Sequence, residues 1–201
     1  MRKRFRVFFL VLCGWGLCSC SPRDFLTRRL ASDLILASPS FQAPQSFLLN
    51  TGVLSNKDYL SPDYLVLQRR GLISATKTYC PAQLGPPPCW TVILTPSGVE
   101  TVRALIPPGD VGKASFVIPV VKRNLLTVTG ISKQGTVADV EFTWRWTPLN
   151  ELGAALYAGD LHYKSTVEFR CFDDGWRVVT IVPRREQNLE DALKNAEPFP
   201  E

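Results

Sequence analysis

The side chains able to carry chemistry are few and scattered. His162 is the single histidine, and no cluster of Cys, His and Asp is spaced around it. A metal needs several such donors converging, and a general base needs a positioned partner, so His162 reads as a surface or turn residue. Asp173 and Asp174 are adjacent carboxylates. Neighbouring side chains in a tight turn diverge, and Gly175 directly after them marks such a turn. No Gly-rich phosphate loop, Ser-His-Asp series or His-Glu-x-x-His run is present. The expectation is a non-enzyme without metal or cofactor.

Two other groups offer more. Phe142, Trp144 and Trp146 alternate along one stretch, and Trp176 lies further on. An aromatic row of this kind on a curved sheet either lines a pocket for an apolar or sugar-like ligand or fills a core. Cys80 and Cys89 bracket a proline-rich run. Their separation is too wide for a Cys-x-x-Cys metal or redox site but suits a disulfide, stabilising by about 2–3 kcal/mol in the chain-entropy account. Cys171 is left over on the apolar side of an expected strand and reads as a buried, unreactive thiol.

The first twenty residues decide the compartment in which these groups work. Arg2, Lys3, Arg4 and Arg6 precede an apolar run from Val7 to Leu17. A membrane-spanning helix needs roughly 20 apolar residues, so this shorter run fits the core of a secretory signal instead. The run closes on Leu17-Cys18-Ser19-Cys20, which resembles the lipobox of bacterial lipoproteins at Leu17, Ser19 and Cys20. Cys18 stands where Ala or Ser is commoner. The resemblance implies cleavage before Cys20 (residues 1–19 being the signal peptide) and acyl chains on Cys20 that hold the protein to a membrane. Ser21 after the cysteine implies the outer membrane, with the protein facing the periplasm.

Removing the signal also changes the charge. The chain carries 23 Lys and Arg against 18 Asp and Glu, and four of those cations lie in the signal. The mature part is therefore nearly neutral, and the basic isoelectric point of about 9.0 gives no reason to expect nucleic acid as a partner.

The elements that must position these residues fall into two parts. Ser21-Pro22 starts a helix through residue 33. Ser61-Pro62-Asp63 starts another that Gly71 ends. A hairpin follows, formed by residues 72–79 and 90–94 around the proline-rich loop, and then Thr95-Pro96-Ser97-Gly98 opens a helix through Leu105. Leu67, Gly71, Leu72, Ile73, Val92, Leu94, Thr95 and Gly98 stand in an order that resembles a winged-helix domain of the MarR- and PadR-like regulators. The resemblance covers residues 60–106 and implies a helix-and-wing unit closing a domain over residues 20–106, with Arg69 and Arg70 within reach of phosphates. Its outward face lacks the Asn, Ser and Thr that base reading uses.

Beyond a turn-rich break at 106–110, residues 107–183 read as strands. These run over 114–121 and 125–131, with a turn near Lys122-Arg123-Asn124, and then over 136–147. In the last, Ala138, Val140, Phe142, Trp144 and Trp146 alternate with polar residues, as in a strand with one buried face. A short helix near Leu149–Leu156 covers the sheet. Two strands then flank Asp173-Asp174-Gly175, the second over residues 176–182, and residues 184–201 form a polar tail. The predicted class is α+β: a winged-helix-like domain followed by a curved antiparallel sheet domain with one covering helix, for which NTF2-like and cystatin-like sheets are the nearest analogies. The function expected is that of an envelope lipoprotein acting as an interaction or scaffolding module with a protein partner. The alternatives are a small-ligand binder using the aromatic face and, without export, a DNA-binding protein.

Overall fold

A computed structural model describes residues 25–110, 112–179 and 188–199. The signal, Cys20 and the expected helix start at Ser21 lie outside the described residues, as do the ends of the strand expected over 176–182 and of the tail.

The architecture is α+β, and every strand pair among the described residues is antiparallel. Helix α1 (Arg28–Ala37) begins where Thr27 accepts a hydrogen bond from Leu30 N, and it buries Ala31 and Ile35 one turn apart. The short α2 (Pro39–Gln42) adds Phe41. Strand β1 (Gln45–Asn50) follows and pairs with β5 (Ser115–Gln134). The order in the large sheet is β1-β5-β6-β7-β8, with β6 at Val137–Pro148, β7 at His162–Phe172 and β8 at Gly175–Val178. The alternation expected in β6 is present, with Ala138, Val140, Phe142 and Trp144 all buried. Gly175 takes the positive φ that the expected hairpin turn requires.

Between β1 and β5 lies a second unit. Strand β2 (Gly52–Ser55), helices α3 (Asn56–Tyr59) and α4 (Pro62–Arg69), strands β3 (Ile73–Thr78) and β4 (Cys89–Leu94), and helix α5 (Pro96–Arg103) run in that order. Their sheet has the order β2-β4-β3. This unit departs and returns at paired residues, Asn50 opposite Ser115, so it is an insertion into one hairpin connection of the large sheet.

Several expectations change here. Residues 25–43 do not join the unit formed by 52–103; Leu26, Ala31, Ile35 and Phe41 share a core with β5 to β8, whereas Leu49 of β1 packs with the inserted unit. Conversely, Phe116, Ile118, Val120 and Leu152 share the other core with Leu67, Leu72 and Val92, so the break at 106–110 does not separate the two cores. Lys122-Arg123-Asn124 is not a turn but the middle of a single 20-residue strand. The Arg123 guanidinium is absorbed rather than solvated: it donates to Ser40 O at 2.9 Å and lies 4.8 Å over the Trp146 ring. Burial lowers its pKa below the usual arginine value, and Glu190 opposes that shift.

The helix expected near Leu149–Leu156 forms as α6 (Glu151–Leu156) and packs on β5 and β6 as well as beside α4, but it is not alone: α1, α2 and a C-terminal helix, α7 (Leu189–Lys194), cover the rest of the large sheet. The expected polar tail is thus partly structural. Leu189, Ala192 and Leu193 are buried, and Ser165 accepts from Trp144 Nε1 while donating to Ala192 O. Strand β9 (Glu197–Phe199) then pairs with the start of β7.

Two helices reach these strands by the same device. Thr95 caps α5 by accepting from Gly98 N, and its hydroxyl donates to Gly71 O at 2.6 Å. Asn150 caps α6 by accepting from Gly153 N, and its amide donates to Pro119 O at 2.7 Å. In each case the capping residue ties the helix start to backbone of a neighbouring element, and the glycine three residues on lets the helix lie against a carbonyl, Leu72 O or Val120 O.

Candidate functional site

Two concave sites stand out, one on each side of this architecture. The first is a groove of about 340 Å³ on the inserted unit. Val92, Ile93 and Leu94 of β4, Val99 and Val102 of α5, and Ile106 and Phe116 line it, with the main chain of Thr51 and Gly52 at one end. Ile93 is 56% exposed, and Val53 and Val99 are exposed as well, so apolar surface continues beyond the groove itself. Arg103 and Lys113 are the charged residues that line it. Strand β2 begins at Gly52, opposite Val92, so Ile93 and Leu94 of β4 run past its paired end and border the opening.

The second site is a cleft of about 260 Å³ where β6 leaves the large sheet. Trp146, Leu156, Tyr157, Leu161 and Tyr163 border it, together with the main-chain bend at Ala158 and Gly159. Its aromatic residues form a continuous series. Tyr163 stacks on Trp144 at 4.6 Å, Trp144 meets Trp146 edge-on at 5.0 Å, and Trp146 tilts toward Tyr157 at 5.8 Å. Desolvation raises the Tyr157 pKa above the usual tyrosine value, with Asp63 and Tyr163 adding to it.

The aromatic row expected as a ligand face is therefore divided. Phe142, Trp144 and Trp176 are buried members of the core beneath α1, α2 and α7. Trp146, the last of the row, is the one that reaches a cleft, because the covering helices end before it. Tyr157 and Tyr163 were not among the sequence candidates. They come from different elements, and the two-residue alternation that flags Trp146 carries no signal for a tyrosine after a helix.

The remaining candidates are structural. Cys80 and Cys89 form a disulfide with Cα atoms 5.1 Å apart, closing the loop between β3 and β4. His162 is buried at the start of β7, with Nε2 3.6 Å from Asp160. Asp173 and Asp174 form the β7–β8 turn, where Asp174 pairs with Arg177. Cys171 is partly rather than fully buried, its thiol facing Phe172 O at 3.8 Å. Arg69 and Arg70 are exposed at the end of α4. Among the described residues no group of three or more His, Cys, Asp or Glu is arranged to hold a metal, and no helix is long and apolar enough to cross a membrane. Compared with family models, curated proteins and solved structures, the chain shows no match in any of the three.

Proposed function

We propose that this protein is an envelope lipoprotein, held to the outer membrane through acyl chains on Cys20 and facing the periplasm, that works as a non-enzymatic interaction module. The observation that carries the reading is the apolar groove beside Ile93, which leaves Val53, Ile93 and Val99 exposed on the inserted unit. Isolated exposed apolar residues are ordinary; a groove lined by them and continuous with an exposed patch marks a docking surface. The partner that suits it is an envelope protein segment with apolar anchors flanked by a carboxylate, which Arg103 complements.

The inserted unit reads as winged-helix-like. Supporting this are its element order from β2 to α5, the sheet order β2-β4-β3 and the closed wing between β3 and β4. Its use for nucleic acid is not part of the proposal, because a secreted chain meets no chromosomal DNA.

The position of the chain's start favours this arrangement. Phe25 is 65% exposed and lies against Lys133, near the far end of β5 from the insertion. Arg28 donates to Thr129 O at the same end. Four residues lie between Cys20 and Phe25, and the connecting chain reaches at most roughly 18 Å. The inserted unit joins at Ser115, about 60 Å away along the strand at ~3.3 Å per residue. An anchor at one end would thus present the groove at the other.

A photo-crosslinking residue at position 93 of the full chain in intact cells tests the reading, with position 79 as the control, since Tyr79 is 88% exposed outside the groove. The expected result is a discrete adduct from position 93, lost on Val99→Asp and absent from position 79. The same adducts from both positions would refute the docking surface, and fatty-acid labelling that survives Cys20→Ala would refute the anchor.

A further inference from the structure

We infer that the cleft bordered by Trp146, Tyr157 and Tyr163 is a binding subsite for a neutral N-acetylated hexosamine ring. It is separate from the groove, and its residues come from β6, the end of α6, the connection after it and β7.

The cleft's character is set first by charge. None of the residues that line it is charged, so a carboxylate, phosphate or ammonium ligand would leave water without a counter-charge. A cation held by the aromatic faces alone is disfavoured for a second reason. The Arg123 guanidinium, which does not itself line the cleft, already lies 4.8 Å over Trp146 and 5.6 Å over Trp144 and occupies the same π-systems. What remains is a neutral ligand.

The lining then selects among neutral ligands. Trp146, Tyr157 and Tyr163 offer aromatic faces, and a pyranose presents a face of C–H bonds that packs on such rings. The two tyrosines also carry hydroxyls that donate to and accept from ring hydroxyls, which a purely apolar ligand would leave unused. Leu156 and Leu161 complete the wall with aliphatic surface, and Leu161 is 55% exposed. A plain hexose has no methyl group to set against them; an acetamido methyl supplies one.

The site is also built to keep its shape. Trp146 is fixed from behind by Trp144 and Arg123, and Arg123 is tethered to Ser40 O. The opposite wall, residues 158–161, is held by Asp160, whose carboxylate accepts from Arg145 at 3.0 Å and faces His162. Aromatic faces already packed from behind, as those of Trp146 and Tyr163 are, lose little freedom on binding, which is how a small cleft retains useful affinity.

The test uses the full chain purified in detergent, titrated with β-1,4-linked N-acetylglucosamine oligomers, with cellotetraose and choline as comparison probes. Saturation-transfer NMR reads which ligand protons touch the protein, and tryptophan fluorescence reads the site. The expected result is saturable binding with transfer to the acetamido methyl, weaker binding of cellotetraose and none of choline. Trp146→Ala should weaken binding about tenfold or more, as loss of a central aromatic contact does. Because Trp146 also packs on the core, Tyr157→Ala is the second variant; it should weaken binding several-fold with the circular dichroism spectrum unchanged. No saturable binding of the oligomers, equal binding of cellotetraose, choline binding that depends on Trp146, or oligomer binding unaffected by both substitutions would each overturn the assignment.

Discussion

Gly153→Ala isolates the contact that joins α6 to the large sheet. A Cβ built on Gly153 falls 1.9 Å from Val120 O and 2.8 Å from Val120 C, both backbone atoms that cannot rotate away. Ordinary contact begins beyond about 3 Å, so helix and strand must separate by roughly 1 Å. Overpacking of this kind costs about 1–3 kcal/mol. The same carbonyl accepts from Leu149 N at 2.9 Å, and Asn150 donates to Pro119 O next to it, so separation also weakens about 1 kcal/mol of hydrogen bonding. Alanine's better helix propensity returns up to about 1 kcal/mol. The net loss is roughly 1–3 kcal/mol, a fall of about 2–12 °C in Tm for a chain of this size. Calorimetry of wild type and variant measures it, with Gly109→Ala as the control because nothing lies within 4 Å of its added Cβ. A Gly153→Ala protein melting within a degree of wild type would mean that α6 does not approach β5 as described.

Tyr64 and the disulfide give two further tests. The Tyr64 hydroxyl accepts from Asn50 N at 2.7 Å and donates to Asn50 O at 3.0 Å, and burial raises its pKa above the ordinary value near 10, against a lowering by the Asn50 backbone bond. A raised folded-state pKa means that its contribution is complete below the unfolded value and is lost as pH rises through the folded one. Urea midpoints should therefore fall above pH ~10, and Tyr64→Phe, which should lose about 1–2 kcal/mol at neutral pH, should show a smaller alkaline fall; an alkaline fall as large in the variant would assign the effect to other groups. Cys80→Ala with Cys89→Ala should lower stability by about 2–3 kcal/mol. Equal urea midpoints for this double variant and wild type would show that closing the loop contributes nothing.

Local patterns in the sequence carry the elements but not their partners. The alternation in β6, the Asp-Asp-Gly turn, the Gly71 helix end and the Cys80–Cys89 pair each follow from residues a few positions apart, and each is present. The insertion is different. It depends on β1 pairing with a strand that begins 65 residues after it ends, and no periodicity within either strand encodes that choice. The misread turn at Lys122-Arg123-Asn124 has a physical cause too, because polarity marks a turn only when the polar group stays in water. Arg123 finds Ser40 O and two indole faces instead. The cleft was half visible. Trp146 belonged to the aromatic row, whereas Tyr157 joins it only because α6 and the bend after it bring the chain back to β7.

The insertion also explains why groove and cleft hold a fixed relation. A unit attached by two chain crossings could swing about them, but here a third tie lies beside them. Tyr64 of α4 bonds both the amide and the carbonyl of Asn50, the last residue of β1. Its ring also packs 6.1 Å from Phe47 of the same strand. The core around Leu67, Leu72 and Val92 continues without a break into Phe116, Ile118 and Val120 of β5 and Leu152 of α6. Swinging the unit would expose those side chains, each worth about 1.5–3 kcal/mol when buried, which is more than a flexible connection tolerates. The groove beside Ile93 is therefore carried rigidly by the strand whose other end lies against Phe25. Whatever fixes the chain's start in space also sets how far and in which direction the groove is presented.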